Sequence, residues 1–224
     1  MTDKPVIAIL GGTGKEGPGL AMRWAHAGYP IIIGSRQAEK AEATAKDLNE
    51  KLGLENIRGL ENRDAARQAD INVLTVVQSA HQSALESLKG ALQGKILVDA
   101  TARVDFRDPK PPAPPSAARI AQEILGQDVR VVGAFQNVPA HNLKKKLGED
   151  LGLDVLVCAD DKAAAQQVIE LAQAAGMQAY YAGGLDNALA VEGLTSLLIS
   201  INKAYGLKTA SIAITGIPDK AEQM

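Results

Sequence analysis

Glycines near the amino terminus have a spacing that can bind a phosphate group. Residues 12–17 read GTGKEG, which matches Gly-x-Gly-x-x-Gly, and they lie between the apolar run 6–10 and the helix-forming stretch 20–27. A glycine-rich turn from a strand to a helix presents backbone N–H groups and the positive end of the helix dipole, with no Cβ atoms to obstruct an anion. The motif alone is a weak signal, but its position between a strand and a helix predicts a dinucleotide-binding loop.

The turn after the next apolar run contains the residues that would select the cofactor. Ser35 and Arg36 follow the run IIIG, and Lys40 comes four residues after Arg36. An enzyme that uses NAD usually has Asp or Glu here, which binds the ribose 2′-hydroxyl. Arg36 instead offers a fork of donors to a 2′-phosphate, Ser35 adds a hydroxyl, and Lys40 lies near the positive end of the next helix. We predict NADP; the alternative is a solvated basic turn.

The sequence has no motif for a protein nucleophile or for a metal site. G-x-S-x-G, H-E-x-x-H and paired cysteines are missing, and the single Cys158 lies in the apolar run LDVLVCA, which favours a packed strand residue. We expect no metal, and we expect structural or solvent-facing roles for His26, His81 and His141. Because only 3% of the residues are aromatic, a flat ring would be held by aliphatic contacts.

Strand-like and helix-like segments alternate along the chain, which is typical of a parallel sheet covered on both faces. The predicted fold is α/β: a Rossmann-type, doubly wound, mostly parallel sheet with a small C-terminal α/β extension. Residues 1–135 would form the NADP-binding domain, and 136–224 an extension that completes the acceptor site and a dimer interface. Helices are predicted over 17–27, 37–52, 61–68, 79–89, 116–125, 139–147, 161–175 and 186–204.

Two further segments are each open to two interpretations. Residues 107–116 read RDPKPPAPPS, with no apolar periodicity, so they form a surface loop that is either a connector or a lid over a substrate. Their place after the strand KILVD is at the carboxyl edge of the sheet, where doubly wound folds bind ligands. The last helix, 186–204, is apolar around much of its circumference, so it is buried in its own subunit or at a dimer interface.

Composition excludes several classes of partner. The chain has 224 residues, 22% of them charged, and a formal net charge of −2, which argues against nucleic acid or an anionic membrane as the main partner. No apolar run approaches the roughly 18 to 20 residues that cross a bilayer, and the amino terminus leads into a strand without a signal peptide. We expect a cytoplasmic protein of one large domain, or of one domain with a small extension.

The motifs together resemble the NADPH-dependent reductases of the deazaflavin coenzyme F-420, the F-420:NADP oxidoreductase family. The resemblance rests on GGTGKEG, GSRQAEKA, VLTV, VVGAFQNVPA and the closing DNALAVEGLTSLLISINKAYG, and it covers most of the chain. It is weakest over 45–65 and in the proline-rich loop, and Gln136 stands where many relatives have histidine. The resemblance implies hydride transfer between NADPH and the deazaflavin, with NADP and F-420 as the two redox cofactors, and a homodimer built on the last helix.

The resemblance also implies which residues form the site. The loop for the pyrophosphate is Gly12, Thr13, Gly14, Lys15 and Glu16, and the 2′-phosphate is bound by Ser35, Arg36 and Lys40. Val76, Val77, Gln78 and Ala102 border the ribose and the nicotinamide, and Val138, Pro139 and Ala140 form the wall that holds the two rings face to face. Hydride transfer requires rings roughly 3 to 3.5 Å apart and no water between them, so no acid–base residue is expected.

Other functions fit the same residues. An NADPH-dependent reductase could act on a flavin, a quinone, a ferric chelate or a small imine or carbonyl compound, and a non-catalytic NADPH sensor would use the same glycine loop. The lysines at 144–146 could bind the phosphate and glutamate tail of the deazaflavin, or they could be a solvated run on a helix.

Overall fold

Eight strands form one sheet with the order β3-β2-β1-β4-β5-β6-β7-β8 in the computed structural model, which describes residues 4–217. The strands are β1 (Ile7–Leu10), β2 (Ile31–Ser35), β3 (Ile57–Glu61), β4 (Ile71–Leu74), β5 (Ile96–Asp99), β6 (Arg130–Gly133), β7 (Asp154–Ala159) and β8 (Gln178–Tyr181). The helices are α1 (Gly17–His26), α2 (Ala38–Leu52), α3 (Asn62–Gln68), α4 (Gln78–Leu92), α5 (Ala117–Leu125), α6 (Ala140–Leu143), α7 (Lys162–Ala174) and α8 (Ala188–Ala204). The predicted α/β fold is confirmed.

The sheet is parallel from β3 to β6, so the carboxyl ends of these strands meet at one edge. β1 pairs with both β2 and β4, Ile7 lying opposite Ile31 on one side and Ile71 on the other. The chain therefore winds outward in opposite directions from the β1–β4 boundary, and this reversal is where doubly wound folds bind ligands. β7 runs antiparallel to β6 and pairs in parallel with β8.

The strands are apolar on both faces because helices cover both sides of the sheet. Along β1, Ile7 and Ile9 join one buried cluster, which includes Trp24 of α1, while Ala8 and Leu10 join a second cluster on the opposite face. This alternation follows from the period of two in a strand, and it explains why β1 reads as a continuous apolar run.

The helix predicted over 139–147 is wrong in length, because α6 ends at Leu143. The buried guanidinium of Arg23, in α1, accounts for the early end. Its Nε donates to the carbonyl of Leu143 at 3.0 Å, and its Nη2 donates to the carbonyls of Lys145 at 2.5 Å and Lys146 at 3.2 Å. The chain then turns, with Lys146 at a φ of 48°. The lysines at 144–146 are therefore exposed in a turn, not on a helix.

The last helix is only partly covered by its own subunit. Val191, Glu192 and Ser196 of α8 are buried, but Leu197 is 53% exposed and Ile201 is 42% exposed. One of the two predicted possibilities was that the subunit buries this helix along its whole length. That prediction is wrong for the second half of the helix. No helix within residues 4–217 has the length and apolar character needed to cross a membrane.

Candidate active site

Five loops come together at the carboxyl edge of the parallel strands. Backbone hydrogen bonds join them in pairs: Gly12 N–H donates to the Gly34 carbonyl at 2.9 Å, and Thr75 N–H donates to the Leu10 carbonyl at 3.0 Å. The loops contain all the predicted site residues, and their segments are 11–17, 35–40, 75–78, 100–103 and 134–140. The fold thus brings residues from five parts of the sequence to one edge.

The glycine loop is shaped by close contacts that exclude side chains. A Cβ atom on Gly12 would lie 2.6 Å from the carbonyl oxygen of Ile9, and one on Gly17 would lie 2.6 Å from the Cα of Gly12. A Cβ on Gly14 would meet only the Gly11 carbonyl oxygen, at 3.6 Å, and Gly14 is exposed. Gly12 and Gly17 therefore permit close packing, while the backbone at Gly14 is open to a ligand. This cradle at the start of α1 fits a pyrophosphate.

Glu16 lies at the N-cap of α1, but its side chain does not cap the helix. The residue is partly exposed, whereas its carboxylate oxygen Oε1 is enclosed and has no hydrogen-bond partner within residues 4–217. Burial disfavours the charged form and raises the pKa of Glu16 from 4.5 to about 8. Glu16 is then mostly neutral at pH 7, so it adds little negative charge where an anion is predicted to bind.

The turn after β2 keeps its basic side chains in solvent. Ser35 is the buried last residue of β2, and its Oγ accepts a hydrogen bond from the N–H of Gln37 at 3.3 Å. Arg36 and Lys40 are exposed, and α2 starts at Ala38, so Lys40 is in its first turn. Neither basic side chain forms an ion pair with another residue in the described part of the chain. Both are thus available to a phosphate.

Residues 75–77 form the loop between β4, which ends at Leu74, and α4, which begins at Gln78. Of the predicted residues, Val76 and Val77 therefore lie in this loop, and Gln78 is the first residue of the helix. Val76 is half-buried, and its Cγ1 lies so close to Gly11 that a Cβ there would be at 2.7 Å from it. Val77 is 70% exposed. The glycine loop and the predicted nicotinamide segment are therefore in direct contact.

Asp99, the last residue of β5, which sequence reasoning missed, joins two of the five loops to α4. Its carboxylate oxygen Oδ2 lies 2.7 Å from Nε2 of His81 in α4, and Oδ1 accepts the N–H of Thr101 at 2.9 Å. Its backbone carbonyl accepts Nε2 of Gln136 at 3.1 Å. Asp99 is fully buried and the His81 side chain is 5% exposed. Because the partners are 18 and 37 residues away, no local motif could have indicated this group.

The turn before α6 is fixed by side chains on both faces of the sheet. Phe135 has a φ of 72° and packs edge-on against Trp24, with ring centroids 5.8 Å apart. On the other side, Nδ2 of Asn137 donates to the Val191 carbonyl and to Oγ1 of Thr195, both at 3.0 Å. The predicted wall residues follow directly, and Val138 is buried while Pro139 and Ala140 are partly exposed. This turn has little freedom to move.

The proline-rich loop is held at both ends by one carboxylate, which the sequence did not indicate. Glu192 of α8 is 1% exposed. Its Oε1 accepts the backbone N–H and the Nε of Arg103, at 2.7 and 2.9 Å, and its Oε2 accepts the N–H of Ala117 at 2.8 Å. Lys203 donates to the carbonyl of Arg107 at 3.0 Å. The loop is thus attached to α8, beside Ala102 of the predicted site.

Asn62, at the start of α3, is a second residue that sequence reasoning missed. Its Oδ1 accepts the N–H of Gly11 at 3.1 Å, and a Cβ on Gly34 would lie 2.7 Å from the same oxygen. Asn62 therefore holds the start of the glycine loop, and it requires a glycine in β2. An asparagine directly after a strand is a common cap residue, so its sequence gave no separate signal.

Known proteins resemble this chain over almost its whole length. Residues 6–103 match the family described as NADP oxidoreductase, coenzyme F420-dependent. An F420-dependent NADP reductase of Methanocaldococcus jannaschii is 42% identical, covering 94% of this chain and 98% of its own. The enzyme of that name from Methanothermobacter thermautotrophicus is 38% identical, covering 96% of each chain.

A solved structure agrees with these sequence comparisons. A protein of Arthrobacter sp. FB24, provisionally assigned as an F420-dependent NADP reductase, superposes with a TM-score of 0.78 at 25% identity. The superposition covers 94% of this chain and 100% of that one. The fold similarity therefore extends over nearly the whole chain.

Proposed function

Because this chain belongs to the family of F420-dependent NADP oxidoreductases, we propose that it transfers a hydride between NADPH and the deazaflavin coenzyme F420. The observation that carries the proposal is the convergence, at one sheet edge, of a phosphate cradle, a basic turn and a rigid apolar turn. The first two fit NADP. The third offers an aliphatic surface against which flat rings can be held.

Each loop has a separate task in binding NADP. The N–H groups of residues 12–16 bind the pyrophosphate at the start of α1. Arg36 and Lys40 bind the 2′-phosphate through charge-assisted hydrogen bonds, with Ser35 shaping the turn between them. Residues 76–78 and Ala102 border the ribose and the nicotinamide. These assignments rest on position and exposure.

The residues nearest the reacting rings act by placement. Nicotinamide and deazaflavin, when bound, supply the hydride donor and the hydride acceptor. Val138, Pro139 and Ala140 fix the distance between the rings and keep water away from the transfer path. The turn is suited to this task because Asn137 and Phe135 anchor it from opposite sides. No side chain needs to take a proton from carbon or to attack a substrate.

The proposed function includes a homodimer formed through α8. Leu197 and Ile201 of this helix and Tyr205, which follows it, are exposed, and Phe106, just before the proline-rich loop, is 72% exposed. Scattered apolar residues are normal on a surface, but four large ones in adjacent segments favour an interface. Sedimentation at micromolar concentration should give twice the 23.5 kDa mass of the chain. A monomer under these conditions would contradict the dimer.

The hydride acceptor is identified by comparing candidate acceptors under the same conditions. Purified protein is given NADPH together with oxidised F420, FMN or a ferric chelate, and NADPH oxidation is followed by absorbance. We expect F420 to be reduced far faster than the others. Reduction of FMN or of the ferric chelate, with F420 left unchanged, would contradict the acceptor while keeping the NADP-dependent oxidoreductase.

A further inference from the structure

Two buried oxygens near Asp99 have no hydrogen-bond partner. They are Oγ1 of Thr101 and Oε1 of Gln136, in residues that are 3% and 8% exposed, and neither oxygen finds a partner within residues 4–217. Leaving a buried polar group unpaired destabilises the folded protein. Native proteins keep few such groups, and an unpaired one at a ligand site indicates a missing partner.

Asp99 fixes the orientation of both residues. Its Oδ1 accepts the backbone N–H of Thr101, and its own carbonyl accepts the Nε2 of Gln136. The amide of Gln136 therefore has its donor side turned to the protein, and its acceptor side is left without a partner. The contact of Asp99 with His81 fixes the carboxylate in turn. Asp99 is a positioning residue, and the two oxygens are the atoms that remain for a ligand.

We propose that Thr101 and Gln136, held by Asp99, form a hydrogen-bonding subsite that accepts an amide-type N–H group of a ring-bearing substrate. This subsite rests on the proposed function, and it specifies a hydrogen bond by which the protein would recognise one of the two ring-bearing substrates. Two groups have this chemistry: the carboxamide of nicotinamide and the ring N–H of the deazaflavin. Both oxygens are enclosed, so binding requires a local rearrangement around them.

The position of the unpaired oxygens supports a ligand over a packing defect. Thr101 precedes Ala102, and Gln136 lies two residues before Val138, so each is within two residues of a residue predicted to face the rings. Asn72 offers a contrast, since both polar atoms of its side chain are unpaired but it lies within β4, between Ala8 and Leu97 on neighbouring strands. An Asn in the middle of the sheet is remote from any ligand at the strand ends.

Substitutions that remove the oxygens separate a ligand role from a structural one. Thr101→Val and Gln136→Met keep the approximate shape, and Asn72→Val is the matched control in the sheet. Calorimetry measures the binding of NADP+, of 2′,5′-ADP, which lacks nicotinamide, and of oxidised F420. We expect Thr101→Val and Gln136→Met to weaken one ring-bearing ligand on the order of tenfold. Asn72→Val should leave every affinity unchanged, and Thr101→Ser should restore the affinity lost in Thr101→Val.

The pattern of losses identifies the group that is bound. Weaker NADP+ with unchanged 2′,5′-ADP assigns the subsite to the carboxamide, and weaker F420 with unchanged NADP+ assigns it to the deazaflavin ring. Folded variants with parental affinity for all three ligands overturn the proposal. If the parent protein does not bind F420, the proposed function fails, while the comparison of NADP+ with 2′,5′-ADP still tests the subsite.

Discussion

The segments predicted to bind the phosphates of NADP and those predicted to hold the rings are supported differently. The phosphate half, residues 11–17 and 35–40, consists of open backbone and exposed basic side chains. The ring half comprises residues 75–78, 100–103 and 134–140, and its last two segments are anchored by side-chain hydrogen bonds between residues 37 to 89 positions apart. Breaking one of these anchors should alter stability or rate, whereas removing a basic side chain from the phosphate half should alter NADP affinity.

The largest expected effect is on stability in the ring half. Glu192→Ala leaves Arg103 and two backbone N–H groups without their acceptor, and breaking a buried ion pair from one side costs about 3 to 5 kcal/mol. We expect a loss of this size in the free energy of unfolding, measured by urea denaturation. Asp108→Asn is the control, since its pair with Lys110 is at the surface of the same loop. A loss below about 1 kcal/mol, the value typical of surface pairs, would contradict the structural role of Glu192.

Ala140→Phe should reduce turnover with little effect on NADPH affinity. Ala140 is the partly exposed first residue of α6, so a phenyl group there would displace one ring, and a misplacement of 1 Å can cost about 100-fold in rate. NADPH should remain bound through the phosphate half. The measurement is the NADPH dissociation constant together with the rate of F420 reduction, and Ala163→Phe, at an exposed position on α7, is the control. Equal losses in rate and in NADPH affinity would contradict the prediction that the phosphate half binds NADPH independently of Ala140.

Arg36→Ala tests the phosphate half, where we expect a change in cofactor affinity and none in stability. We expect the parent to bind NADPH at least about tenfold more tightly than NADH, a difference of about 1.4 kcal/mol. The variant should lose most of this preference by weaker NADPH binding, with NADH affinity nearly unchanged and with parental stability. Arg58→Ala, at an exposed position on β3, is the control. A parent protein with equal affinity for NADPH and NADH would contradict the 2′-phosphate site.

Glu16→Gln tests the phosphate half through the dependence of stability on pH. The pKa of Glu16 is raised from 4.5 to about 8, so between these values the folded protein holds a proton that the unfolded chain releases. The free energy of unfolding therefore falls as pH rises through this window, by at most about 1.4 kcal/mol per pH unit. Urea denaturation at several pH values should show a flatter profile for Glu16→Gln and the parental profile for Glu39→Gln. Identical profiles for all three proteins would mean that Glu16 is charged when folded.

The phosphate half was predictable from sequence because its function depends on local spacing. Glycines at 12, 14 and 17, and Ser35 with Arg36 after a strand, carry their meaning within a few residues. Asp99 and Glu192 carry no such meaning, because a lone acidic residue in a sequence does not indicate which backbone groups it will meet. The length of α6 was wrong for the same reason, since Arg23 ends it from more than 100 residues away. Local pattern therefore predicted the sheet and the glycine loop, but not the contacts that anchor the predicted ring-binding segments.

The attachment of Glu192 to both Arg103 and Ala117 makes the segment between them a closed ring without a covalent link. For such a ring, the entropy of closure depends weakly on its size, and doubling the number of residues costs only about 0.6 kcal/mol. The ends stay in place whatever lies between them, so neither α5 nor the end of β5 senses the length of the insertion. Residues 105–115, between the buried Val104 and Ser116, the N-cap of α5, are therefore a segment in which this chain can gain or lose sequence, or accept an inserted peptide, with little disturbance to the rest of the fold.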